Sequence, residues 1–274
     1  MNRTTKIQVY VIFSALILAL IIIVLFWALN YGKTTKYTLN QTTSTGITIQ
    51  AGSETITSPN KKNMTAAPVT PGIHKGLTKL METASVSALI IGDSIAESQG
   101  ASNKDLSSWH ALVDNDLHDR YPGTIQWHFK TSAGASINDA LKFTPSATQD
   151  TDLIILCLGR QDSGRMKLSE FKQKYEQLLV KLKAQSPNAD LFLVVEPPVK
   201  SNVENNKFFP YRKIILDLAQ KHQLPVIDEW TAFINDPVPL TSLLADNGNP
   251  NDKGYRVFAD GVLKGFEGYL MPAY

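Results

Sequence analysis

Two runs, Asp152–Leu158 (DLIILCL) and Asp190–Val195 (DLFLVV), are apolar at every position after a leading aspartate. Neither alternates, so neither has a face fit for water. Such a strand is stable only when covered on both sides, as in the middle of a parallel sheet between helices. Between them, Leu168–Gln185 places apolar residues at helical spacing on a polar background. The rhythm extends both ways. Val86–Ile91 reads as a first buried strand ending at Gly92, Leu106–Tyr121 as a helix, and Thr124–Phe129 as a second strand. Phe208–His222 reads as a helix, Pro225–Ile227 as a short fifth strand, and Asp252–Leu270 as a closing helix. Alternating strands and helices imply right-handed crossovers. The expected fold is α/β, a three-layer sandwich with a central parallel sheet of about five strands, spanning residues 75–274. Function in such a sheet sits beyond the carboxyl ends of the strands.

The preceding residues obey other rules. No charge occurs between Lys6 and Lys33, and residues 9–29 (VYVIFSALILALIIIVLFWAL) are almost wholly apolar. Roughly 20 such residues are what one helix needs to cross a hydrocarbon core. A cleaved signal peptide is the rival reading, but its apolar region is normally shorter, and no clean Ala-x-Ala-like site follows. An uncleaved transmembrane signal anchor is therefore expected, after a cytoplasmic tail of residues 1–8. Trp27 and Tyr31 stand near one end of the span, where amphipathic rings favour the interface. Residues 30–74 are rich in Thr, Ser and Asn and read as a solvated tether, which as a coil would span roughly 35–40 Å. Arg3 and Lys6 face Lys33 and Lys36, so charge bias barely sets orientation. The short tail and long body suit an inside N-terminus and an extracytoplasmic body at the cell membrane. Expected partners are the lipid bilayer, through residues 9–29, and an envelope polysaccharide or acyl ester ligand.

Charge is divided between these parts. Residues 1–75 carry seven Lys/Arg against a single acid, Glu54, whereas residues 76–274 carry 20 against 24 Asp/Glu. A mildly acidic body argues against nucleic-acid binding. The lone cysteine, Cys157, excludes an internal disulfide framework and cysteine-based zinc sites. It reads as a small buried hydrophobe. No Gly-x-Gly-x-x-Gly, phosphate loop or carboxylate–metal cluster appears, so neither cofactor nor metal is expected.

The first strand ends in Gly92-Asp93-Ser94-Ile95-Ala96-Glu97-Ser98. A serine just past a buried strand stands where a nucleophile is useful. By itself Gly-Asp-Ser is a common helix-capping tripeptide. Here Gly134 follows the second strand in Ser132-Ala133-Gly134-Ala135-Ser136, and Gly159-Arg160-Gln161-Asp162 follows the third. Asp246-Asn247-Gly248-Asn249-Pro250-Asn251 precedes the last helix. In this order the blocks resemble the SGNH/GDSL hydrolase family over residues 85–272, best at Ile91–Gly100 and Pro250–Asp260. The resemblance implies a flavodoxin-like sheet and an ester hydrolase. It implies Ser94 as nucleophile, and an oxyanion hole from the Ser94 and Gly134 N–H groups and the side chain at position 161. It further implies Asp246 as the acid that orients a histidine base.

Two positions depart from that pattern. Gln161 stands where the family has asparagine, and Asn249 where it has the catalytic histidine; no histidine follows His222. An amide cannot accept the serine proton near neutral pH. His110, near the start of the helix after Ser94, is the candidate substitute, its plain alternative being a helix-surface histidine. His118, His128 and His222 fall elsewhere on the sheet, and His74 at the tether end. Asp93, Arg160 and Glu196 are pocket candidates, Arg160 for an anionic or sugar ligand at the rim or simply as the partner of an acid, and Glu196 as a pocket wall or part of a stiff Pro-Pro turn. Trp109 and Trp230 could stack on sugars, although core packing is the commoner use. Two readings follow: an ester hydrolase with an impaired site, acting on acyl or O-acetyl esters of an envelope glycan, or a binding or assembly module that has lost catalysis.

Overall fold

The computed structural model describes residues 75–271. The anchor of residues 9–29, the tail before it and the tether to residue 74 lie outside the described residues. Among the described residues no helix is long and apolar enough to cross a membrane.

Five strands form one parallel sheet: β1 (Ser85–Gly92), β2 (Thr124–Thr131), β3 (Leu153–Cys157), β4 (Asp190–Val195) and β5 (Val226–Asp228), in the order β2-β1-β3-β4-β5. The expected α/β fold with a central parallel sheet is therefore observed. Its helices are α1 (Trp109–His118), α2 (Ile137–Phe143), α3 (Leu168–Gln185), α4 (Asn202–His222), α5 (Glu229–Asn235) and α6 (Asp252–Leu270), with shorter turns between.

Strand periodicity divides the core. Ala88, Ile90, Ile155, Cys157, Phe192 and Val194 point to one face, where Trp109 and Val113 of α1 and Phe258, Val262 and Phe266 of α6 cover them. Leu89, Ile91, Ile154, Leu156, Leu193 and Val195 point to the other, under α2, α3 and α4. Two apolar layers on one sheet make the three-layer sandwich, and they explain why β3 is buried at every position.

Several boundaries differ from expectation. The helix read over Leu106–Tyr121 is broken at Ser108, whose extended backbone and Oγ, accepting the Ala111 N–H, start α1 afresh. Leu106 falls in the preceding turn and is exposed. Helix α4 begins six residues earlier than Phe208, because Ser201 caps it through the Glu204 N–H. Pro210 lies inside the helix. Strand β2 is an edge strand with alternating exposure, so His128 is exposed.

Candidate active site

In this strand order the chain reverses direction across the sheet between β1 and β3, and the crevice there opens at their carboxyl ends. Ser94 follows β1 and Gln161 follows β3, on either side of that crevice. A cavity of about 300 Å³ lies over them. Its walls include Asp93, Ser94, Arg160, Gln161, Asp246 and Asn249.

The Ser94 turn is built by close approach. A Cβ on Gly92 would stand 2.4 Å from the Cys157 carbonyl, so β1 can end this near β3 only without a side chain. Beyond it the Gln99 N–H returns to the Ser94 carbonyl at 3.0 Å. Trp109 Nε1 donates to the Ala96 carbonyl at 2.8 Å, and Tyr255 Oη donates to that of Ile95 at 3.4 Å. Buried aromatic residues of α1 and α6 thus hold the turn from outside. Trp109 is core, as its commoner use suggested.

The loop before α6 is equally constrained. Asn247 Oδ1 accepts the Asn249 N–H at 3.0 Å, Ala245 N–H donates to the Asn249 carbonyl at 2.8 Å, and Leu244 bridges Pro250. Asn251 caps α6 through the Lys253 and Gly254 N–H groups. Gly100 joins the two loops: a Cβ there would meet the Pro250 carbonyl oxygen at 2.0 Å. This contact brings Asn249 to Ser94.

Ser94 Oγ donates to Asn249 Oδ1 at 3.0 Å. The hydroxyl proton therefore points at an amide oxygen, which can accept a hydrogen bond but not the proton itself. No imidazole among the described residues bonds Ser94. His110 packs its ring against Phe129 of β2, with centroids 4.9 Å apart, and burial there pushes its pKa down to about 4. His118 lines a separate groove beside α1, and His222 pairs with Glu176 at 3.1 Å.

Asp246 is not brought onto Asn249. Its side chain is fully exposed, and its nearest ionic neighbour is Lys200 at 4.0 Å. Asn249 has no ring N–H for a carboxylate to orient. Gly134 occupies the loop after β2 with φ of +74° and is exposed, outside the walls of the cavity. Gln161 lines the cavity, but one of its Nε2 hydrogens is directed to Asp93 Oδ2 at 3.2 Å. A second N–H remains for a ligand.

Two carboxyl groups here have no exposure, Asp93, which borders the cavity, and Glu196, which lies beneath it and does not line it. Asp93 Oδ1 accepts the Ile95 N–H at 2.9 Å, and Glu196 Oε2 accepts the Arg160 N–H at 2.7 Å. Burial raises both pKa values, Asp93's against the pull of its donors and Glu196's with help from the Asp93 charge. Glu196 is thus not a wall of the pocket. Arg160 reaches the cavity edge, but its guanidinium donates back to the Pro197 carbonyl and stacks 4.4 Å from the Phe208 ring centre. Trp230 lies half-buried 6.0 Å from both Arg160 and Arg212. The sequence reading missed Val199, Lys200, Ser201, Glu204, Asn247 and Gly248 as lining residues. Their signal was position: they follow the Glu196-Pro197-Pro198 run or sit between Asp246 and Asn249.

The model of a GDSL-like lipase/acylhydrolase family matches residues 90–257. A search of curated proteins by sequence finds no match. Among solved structures, the acetylxylan esterase Axe2 of Geobacillus stearothermophilus aligns over 68% of this chain and 96% of its own, at 18% identity and a TM-score of 0.56. A lipase/acylhydrolase of Enterococcus faecalis aligns over 69% and 99%, at 17% identity and 0.57. TesA aligns over 68% and 99%, at 16% identity and 0.56. These likenesses establish the fold.

Proposed function

Because the chain belongs to the GDSL-like lipase/acylhydrolase family yet offers Ser94 an amide in place of a base, we propose that it binds an acyl ester and turns it over poorly. The contact of Ser94 Oγ with Asn249 Oδ1 carries this reading. A serine hydroxyl is a weak nucleophile until a neighbouring group removes its proton. In subtilisin, loss of the serine or histidine of the triad costs about 10⁶ in turnover. Binding is less affected, since Ser94, Gln161 and Asn249 still offer hydrogen-bonding groups to an ester oxygen or a sugar hydroxyl.

The ligand we favour is an O-acetyl ester on an envelope polysaccharide. The cavity walls are mainly polar, with Ile95 and Val199 as the aliphatic members, which suits a short acyl group on a sugar better than a long chain. The acetylxylan esterase among its structural neighbours acts on an ester of that kind. In this reading residues 9–29 hold the protein in the bilayer, the N-terminus is cytoplasmic, and the body works outside the membrane. Protease added to intact cells should then remove the body; a protected body would place it inside.

Calorimetry with O-acetylated xylan and its saponified form as probes tests the ligand. The account expects tighter binding of the acetylated form, weakened by Asn249→Ala, with negligible acetate release. Equal binding of the two forms would refute the ester reading. Rapid acetate release would instead make this a working esterase.

A further inference from the structure

The ends of β1, β3 and β4 meet at a point that the Ser94 chemistry does not use. Asp93 closes β1, Arg160 and Gln161 follow β3, and Glu196 follows β4. Asp93 accepts two donors, the Ile95 N–H and Gln161 Nε2. Glu196 accepts the Arg160 N–H with Oε2, while Oε1 is buried with no protein donor. The two carboxyl groups are within hydrogen-bonding reach of one another. Two carboxylates cannot bond each other, since both are acceptors. A proton between them satisfies the orphaned oxygen and leaves the pair with one negative charge. That charge is matched by Arg160, the cation beside them. Its guanidinium makes no ion pair with either carboxyl; Nε and Nη1 are buried without acceptors.

We propose that Asp93 and Glu196 hold one proton in common and act as a positioning pair, locking the Ser94 turn to the Arg160-Gln161 turn beneath the pocket. The proton resides on Glu196, because Asp93 has two donors to stabilise its charge and Glu196 has one. Through Asp93 the pair fixes the Ile95 N–H, next to Ser94, and aims the Gln161 amide. Through Glu196 it fixes the backbone of Arg160. Loss of the proton leaves two contacting carboxylates in a dry site, and their repulsion loosens both turns. The other titratable or charged groups facing the pair are Cys157 and Arg160 at the end of β3, Tyr175 of α3 and Tyr255 of α6, with Glu229 of α5 behind Cys157 and Glu204 of α4 behind Arg160. Arg160 is the one cation among these groups, so none of the others offsets the second negative charge that loss of the proton creates. The proposal concerns the pocket assigned above but not its ligand.

The test therefore uses ligand-free protein. Glu196→Gln copies the protonated pair at every pH: its carbonyl accepts from Arg160 and its amide donates to Asp93. Infrared difference spectra at neutral pH should show the carbonyl band of a protonated carboxyl in the wild type that is missing in E196Q. Glu229→Gln identifies the separate band of that buried acid. Amide exchange at Ile95 and Arg160, corrected for the intrinsic pH effect, should accelerate in the wild type as pH rises from the ordinary carboxyl range and level off above about 8, where Glu196 ionises in the closed fold. The open population should grow up to about tenfold per pH unit. In E196Q it should stay flat. Should E196Q not fold, Asp93→Asn gives the same loss of the acid band, since its amide can donate to an ionised Glu196. A wild type without the Glu196 band, or an E196Q with the same pH-dependent opening, would overturn the proposal. Failure to bind acetylated xylan would leave these signals unchanged, so the two readings fail separately.

Discussion

At the scale of single residues, the account turns on which atom receives the Ser94 proton. In the proposed reading Asn249 stands in the place of the base, where its amide oxygen accepts the Ser94 hydrogen bond but not the proton, while Asp246 faces solvent. Asn249→His should therefore restore part of the activity. In subtilisin, losing the orienting aspartate costs about 3 × 10⁴ and losing the histidine about 2 × 10⁶. An imidazole without its acid is thus worth about 10², and that is the gain in nitrophenyl acetate turnover expected of N249H. A gain of 10⁴ or more would mean that Asp246 swings onto the new ring. His110 would not compensate in either protein, because its ring is stacked on Phe129 and held neutral by burial.

At the scale of elements, Gly100 links the site to the fold. Gly100→Ala places a methyl group on the Pro250 carbonyl, so the Ser94 and Asn249 loops must separate. Overpacking of this kind costs about 1–3 kcal/mol. Thermal melts should show that loss, and the Ser94–Asn249 hydrogen bond should be broken in a crystal structure of G100A; an unchanged Tm would contradict the contact. The two sequence blocks that most resembled the family, Ile91–Gly100 and Pro250–Asp260, are the two loops that Gly100 presses together. The limits of α3, β4 and α6 were legible because burial is continuous or periodic over each whole element. Helices α2 and α5 were not, since seven residues give too few turns for a periodicity. Leu106 and Ser108 misled because an exposed leucine extended the apolar pattern across a capping serine. The positions of Ser94 and Gln161 followed from the ends of strands, and that of Asn249 from the block before the last helix. The burial of Glu196 did not, because its partners come from two other strands.

At the scale of the whole molecule, buried acids outnumber buried bases among the described residues, and stability should reflect this. Burial raises the pKa of Asp114 and Asp162 to about 6, of Glu196 to about 8, and of Glu229 further still. Such groups keep their protons in the fold after the unfolded chain has lost them. Their contribution is complete below the ordinary carboxyl range and is lost as pH rises through each raised value. His110 acts in the opposite sense: it is neutral in the fold, so its contribution is lost as pH falls from 6.5 to about 4. Four acids outweigh one histidine. The Tm should therefore be higher at pH 5 than at pH 8, by several degrees; a Tm that climbs steadily towards pH 8 would contradict the assignment. The same architecture that tolerates these acids keeps a crevice at the ends of β1 and β3, with Ser94 and Asn249 in contact at its edge. The most direct test compares wild-type protein with Ser94→Ala in hydrolysis of nitrophenyl acetate at neutral pH. The account predicts rates that cannot be told apart. Turnover at ordinary enzymatic rates in the wild type, abolished by S94A, would contradict it.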